Sequence, residues 1–317
     1  MEQHGLRYFP IGLFASVMGF AGVTIASRHL EELLNFPHYV SLVFLFFSTL
    51  LFLVNLAILS YRSIHFLQDV REDFNHPVKM NFFAAISISL LLLAESYYHY
   101  VPALSFVVWV VGAVLQLYLT LKVLSNLIWR QSFVIAQFNP AWFIPIVGNI
   151  VLPLAGVYHV GKDINWLFFS VGIVFSIIYL TIMMQRLFFD PSLPNPLMAT
   201  LFILMAPPAV GFLSYMKLTG NLNVFAHILF GFAFFIFLLL LFNIKRFIVL
   251  PFFVSWWAFL FPTAALTIAT IHMFVVTKSI LYAWSLVFES AGLLFLIIVL
   301  SWKTVKLAVN KKLCVSQ

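Results

Sequence analysis

The chain has 317 residues, 63% of them hydrophobic and only 9% charged. A soluble domain is nearer half apolar and a quarter charged, so the composition excludes one and points to a multi-pass membrane protein. The net charge of +7 does not indicate nucleic acid as a partner, because the basic residues fall between apolar runs, and the single cysteine, Cys314, excludes an internal disulfide framework.

The chain opens on a mixed polar stretch, Met1 to Pro10, and the apolar run after it lacks an A-x-A-like exit. It therefore reads as a retained first span rather than a cleaved signal. Ten apolar runs follow one another: 10–27, 39–61, 80–100, 102–128, 140–160, 166–185, 197–216, 224–244, 249–272 and 280–302. Each is near the 20 or so residues that cross a hydrocarbon core, so each is predicted as a helix by length. Connections as short as Val101–Pro102 and Gly161–Asn165 require antiparallel neighbours. Of the 17 Lys and Arg, only Arg28, Lys162, Lys217 and Lys278 fall on one face of the bilayer. The other 13, Arg62, Arg130 and Lys303 among them, fall on the opposite face, which puts both termini in the cytoplasm and the protein in the inner (plasma) membrane.

A repeat runs through the odd-numbered spans. Each has a proline at its cytoplasmic start: Pro10, Pro77, Pro140, Pro196 and Pro251. Proline suits the first turn of a helix, where its missing N–H is no loss. A second break falls 11 to 13 residues on in three of them, at Pro153, Pro207–Pro208 and Pro262. The first span has Gly19 and Gly22 at that depth, and the third has Ser87 and Ser89. Pro262 removes a donor and crowds the carbonyl of Ala258, so the helix must kink or break there. Broken helices need a polar or protein-lined environment within a membrane. The prediction is an all-α integral membrane protein, one channel domain over residues 1–317 with a short amino-terminal segment 1–8 and a tail 303–317. Its ten transmembrane helices form five helical hairpins around a central pore made by the odd-numbered, proline-broken helices. Residues expected to line the pore or hinge its helices are Phe14, Gly19, Ser87, Ser89, Asn149, Pro153, Pro207 and Pro262. Phe261, a bulky ring directly before Pro262, is expected to stand in the path.

The string Ser255 to Pro262, SWWAFLFP, followed by small residues, resembles the ninth helix of the tellurite-resistance/dicarboxylate transporter family. Phe14 to Leu33 and Phe138 to Gly156 are similar to other segments of the same family. That family includes bacterial TehA-type proteins, plant guard-cell slow anion channels, fungal malate permeases and sulfite exporters. The resemblance implies a homotrimer with one pore per subunit, and an aromatic plug at the position of Phe261. Small inorganic or organic anions are the implied partners, together with membrane lipid.

The predicted inner spans hold no Lys or Arg, so selectivity is expected to be weak and ordered by ease of dehydration. Two carboxylates lie in apolar runs and are candidates for proton or ion coupling, Glu95 and Glu289. Their plainer readings are an interfacial acid beside Tyr97, Tyr98 and His99, and a hydrogen-bonded acid at a helix contact. The outer-end histidines, His29 and His272 among them, read as interfacial decoration, with tuning by external pH as the alternative. No metal-ligand spacing, nucleophile, phosphate-loop or dinucleotide motif is present, so neither an enzyme, a metal nor a cofactor is expected. The expected function is an anion channel or channel-like uniporter. The alternative is a proton-coupled transporter of C4-dicarboxylate, sulfite or tellurite.

Overall fold

The computed structural model describes residues 5–129 and 134–315; Arg130 and the outermost residues of both terminal segments lie outside the described residues. Among the described residues, ten helices are long and apolar enough to cross a membrane. They are α1 (Ile11–Leu33), α2 (Tyr39–His65), α3 (Lys79–Tyr98), α4 (Pro102–Trp129), α5 (Pro140–His159), α6 (Lys162–Phe189), α7 (Asn195–Thr219), α8 (Val224–Phe242), α9 (Val254–Thr277) and α10 (Ile280–Val309). Several run past the predicted limits, because hydrogen bonding continues into polar flanks where the apolar run has stopped.

Between 67 and 89% of the most apolar stretch of each odd-numbered helix is buried, against 22 to 39% for each even-numbered one. The two sets occupy different layers. The odd helices pack on one another in a closed cycle, α1 on α3, α3 on α5, α5 on α7, α7 on α9 and α9 back on α1. Each even helix packs against the odd helix that precedes it in the chain. Outward, these helices present Phe46, Val114, Ile177, Phe235 and Phe295. Such faces suit hydrocarbon, which gives no reason to bury them.

The odd helices share an irregular start. Short 3-10 stretches at Ile11–Leu13, Pro140–Phe143, Ala199–Met205 and Val254–Phe259 precede the regular helix in four of them. In α3 a single turn, Lys79–Phe82, is interrupted at Phe83. Pro207 and Pro262 therefore stand in the first turns of regular segments, Ala206–Thr219 and Leu260–Thr277. The carbonyls ahead of them bond in the tighter i+3 pattern, so the missing N–H breaks no ladder. In α5 the regular helix stops at Val151 and restarts at Pro153. Its carbonyls are taken up from neighbours: Trp109 donates to Leu152 O at 3.0 Å, Gln116 to Pro145 O at 2.6 Å, and Ser214 to Ile150 O. Such capture is what a break inside lipid requires.

Two expected breaks are displaced. Gly19 and Gly22 lie within an unbroken helix, Phe14–Leu33, and Ser87 and Ser89 within another, Ala84–Tyr98. The glycines serve close approach: a Cβ on Gly19 would meet Leu260 Cδ2 at 2.7 Å, and one on Gly22 would meet Ala264 Cβ at 3.1 Å. The Ser89 hydroxyl donates back to Ala85 O at 2.6 Å, which satisfies it without opening the helix, and the Ser87 hydroxyl lies 2.9 Å from Ala84 O.

Both termini lie at one end of the bundle, where Gly5 N–H donates to Cys314 O at 3.2 Å. Arg62, buried beneath them, donates to Phe9 O at 2.8 Å and to Asp73 at 3.0 Å. The hydrogen bond from Arg7 holds the Asp69 carboxyl below its ordinary range, so that link persists at neutral pH and is lost only on strong acidification.

One of the two tightest glycine contacts, at Gly148, tests the packing. A Cβ on Gly148 would lie 2.1 Å from Gln116 Oε1, and that amide is held by Ser87, Thr120 and Pro145. It cannot yield cheaply. Gly148→Ala is expected to cost about 1–3 kcal/mol. Gly231→Ala and Gly292→Ala, where a Cβ meets nothing within 4 Å, should be neutral or stabilising by up to about 1 kcal/mol. Thermal unfolding of the purified protein in detergent checks both; equal midpoints for the three variants would refute the packing account.

Candidate functional site

Two cavities lie inside the ring of odd helices, each lined by residues of α1, α3, α5, α7 and α9. The near cavity, toward the chain termini, has Ala15, Phe82, Ile88, Val147, Ala206 and Trp257 in its wall. The far cavity reaches His29, Glu95, Lys217 and His272. Along α9 the residues facing the far cavity are Phe261, Ala265, Ile268 and His272, at steps of four, three and four. Along α1 they are Ala15, Met18, Gly22, Ile25 and His29. Those steps keep one face of each helix on the axis, so the cavities are stacked end to end.

Phe261 stands in the wall of both. Its ring is 5% exposed. The residue occupies the second position of the regular segment of α9, directly after the 3-10 stretch and before Pro262. Pro262 contributes to the near cavity.

The two chambers differ in chemistry. The near one is walled by apolar side chains. The far one carries an ion pair, Lys217 Nζ to Glu95 Oε1 at 3.1 Å, with Glu95 only 3% exposed. Lys217 also donates to the Tyr158 hydroxyl and lies 4.5 Å over that ring, which is itself stacked at 3.9 Å on Tyr98. His29 and His272 pack edge to face, 5.4 Å apart, and His29 lies 3.4 Å from Glu32. A cation, a carboxylate and two imidazoles therefore share one wall.

Several expected lining residues turn away from the axis. Phe14 is fully buried against Phe52 of α2, at 6.1 Å in a T-shaped pair. Ser87 donates to Gln116 Oε1 at 2.6 Å, and Asn149 to Thr120 Oγ1 at 2.9 Å, both toward α4. Ser89 faces Phe14 O at 3.4 Å, and Gly19 packs on Leu260. Pro153 and Pro207 shape their helices but belong to neither cavity wall. For Ser87 and Asn149 the physical reason is that polar atoms in lipid must find partners within the protein, and α4 supplies them. Glu289 accepts from Ser285 at 2.7 Å and Thr270 at 3.1 Å, between α9 and α10 and outside both cavities.

Three expectations about charge are corrected. Lys217 is part of an inner helix, because α7 continues to Thr219, past the expected limit at residue 216. Glu95 is buried against it rather than at an interface. His29 and His272 face the far cavity rather than lipid headgroups. Helical steps from Val210 and Leu213 to Lys217 carried the signal for the lysine.

Removing one partner from a buried ion pair leaves an uncompensated charge. Lys217→Met should destabilise the protein by about 3 kcal/mol, and Lys217→Met with Glu95→Gln should recover most of the loss. Thermal unfolding of the single and double variants checks this; a double variant no more stable than the single would remove the coupling.

A family model described as a voltage-dependent anion channel, SLAC1, matches residues 8–305. The S-type anion channel SLAH2 of Arabidopsis thaliana is 28% identical over 275 residues, covering 84% of this chain and 53% of the plant protein. An uncharacterised transporter of Methanocaldococcus jannaschii is 26% identical over 296 residues, 86% of each chain. A tellurite resistance protein TehA homologue of Haemophilus influenzae is 26% identical over 227 residues, 71% of this chain and 69% of its own. The chain spans about half the length of the plant relatives it matches. It belongs to the voltage-dependent anion channel family and is a multi-pass membrane protein.

Proposed function

We propose that this member of the voltage-dependent anion channel family conducts small anions along the axis of its five inner helices, with Phe261 as the gate. The observation that carries the reading is the position of Phe261 between two stacked cavities lined by all five odd helices. Rotation of the ring about its side-chain torsions would join the chambers without moving a helix. The apolar near cavity offers an anion no strong partner, so an ion that enters also leaves, as conduction requires. With the ring across the path, the same apolar wall disfavours water and the block is reinforced by dewetting. Family membership and the S-type anion channels among the relatives support anions as the cargo.

The proposal extends to setting and assembly. The distribution of Lys and Arg, together with the meeting of both termini at one end, supports cytoplasmic termini in a plasma membrane. Because a single chain closes the ring, each subunit of the homotrimer expected from the family would hold its own conduit. Proton-coupled transport is the second reading, and Glu95 on the cavity wall is the observation in its favour. The ion pair with Lys217 weighs against it, since one oxygen of that carboxylate is already engaged. Glu289 has no route to the axis.

Phe261→Ala is expected to raise anion flux in proteoliposomes by about tenfold or more, the effect of lowering a barrier by about 1.4 kcal/mol. Unchanged flux in a folded variant would remove Phe261 from the gate. In planar bilayers the reversal potential should follow the anion gradient and stay put when a pH gradient is imposed. A stoichiometric shift with the proton gradient would overturn the channel reading in favour of coupled transport.

A further inference from the structure

Two acids in the membrane-spanning helices keep one carboxylate oxygen without a hydrogen-bond partner among the described residues, Glu289 and Glu95. The first lies away from both cavities. Glu95 is different, because it forms part of the far cavity wall, is 3% exposed, and uses only Oε1 to meet Lys217. An ionised oxygen left without a donor at this depth is costly, so Oε2 points to a donor brought by the occupant of the cavity. Lys217 presents the complementary shortage. Of its three N–H donors, one goes to Glu95 Oε1 and one to the Tyr158 hydroxyl, which leaves one unspent. The stacked Tyr98 and Tyr158 rings fix the direction of the amine.

We propose that the far cavity is a binding station for monoprotonated oxyanions. The charged oxygen of the anion takes the free N–H of Lys217, and its O–H donates to Glu95 Oε2. His29 and His272 line the same cavity, with ring nitrogens that donate or accept according to tautomer. The proposal rests on the anion-conduction reading and narrows it to a class of anion. Lys217 and Glu95 cancel in charge, so a bare halide or a fully deprotonated oxyanion reaches the lysine only by facing the carboxylate. An O–H turns that repulsion into a charge-assisted hydrogen bond. A site built to accept an O–H discriminates against an analogue that lacks it far better than size or shape alone allow.

Hydrogencarbonate and nitrate make the test sharp, since both are planar, singly charged trioxo anions and only the former carries a proton. Binding to the purified full-length protein is read at pH 8 by 13C line broadening of labelled hydrogencarbonate, with nitrate as competitor. The wild type should bind hydrogencarbonate at least about tenfold more tightly, the size a hydrogen bond to a charged group supports. Equal affinities, or tighter nitrate, would overturn the proposal without recourse to any variant. Glu95→Gln is expected to keep its oxygen on Lys217 and present an N–H instead, so the preference should fall to one or invert. A preference retained in folded Glu95→Gln would also overturn it. Flux measured separately keeps the two readings apart. Conduction with no preference sinks the station alone, and a preference without conduction sinks the channel alone.

Discussion

The structure depends on one constraint: in hydrocarbon, every backbone N–H and C=O must find a partner within the protein. A break in the helical ladder frees such groups, so a helix that carries one cannot stand against lipid unless neighbours complete it. Five helices here begin irregularly, and all five are the buried ones. Their partners, α2, α4, α6, α8 and α10, form the outer layer. From α4, Trp109 and Gln116 reach in to hold carbonyls around the break of α5. Layering, hairpin order and the closed ring follow from where the breaks fall.

That same constraint decides which polar groups are left for an ion. Ser87, Ser89 and Asn149 sit at promising depth, yet their hydrogen bonds go to backbone or to side chains of adjoining helices. What remains on the axis is apolar near the termini and charged only toward the far end. Lys217 and Glu95 come from helices more than a hundred residues apart and meet across the cavity. Their pairing ties α3 to α7 at the mouth while adding no net charge to it. In the proposed conduit, recognition and closure are thus separate, one at the far wall and the other at the phenyl ring.

Much of the architecture was legible in the sequence because it is written in large features. Ten apolar runs and prolines recurring once per hairpin give the span number and the inner layer by physical argument. Phe261 stood out because it precedes Pro262, a proline inside an apolar run that must kink or break the helix, and because the family motif has an aromatic there. Rotation of each inner helix about its own axis was not legible. A buried helix is apolar nearly all round, so its pattern does not say which face meets the axis. That is why Phe14 and Asn149 were assigned to the wrong side. Lys217 was missed for another reason: a span delimited by apolar residues stops at the first charge, while the helix continues to Thr219. The pairing of Glu95 with it is a tertiary fact with no local signature.

The position of Phe261 has a consequence for how much the ring alone can do. In the proposed conduit it would separate a chamber that holds an anion from one whose apolar wall cannot replace the water an anion sheds. An ion leaving the far wall would then meet two obstacles in series, the ring and then the dehydrating chamber. Moving the ring aside lowers the first and leaves the second, which scales with the hydration of the ion. Weakly hydrated anions should then gain most from an open gate, while occupancy at the far wall remains governed by Lys217 and Glu95. Selection by binding and selection by dehydration would act on different anions in the same path. The anion that passes most readily need not be the one that dwells longest.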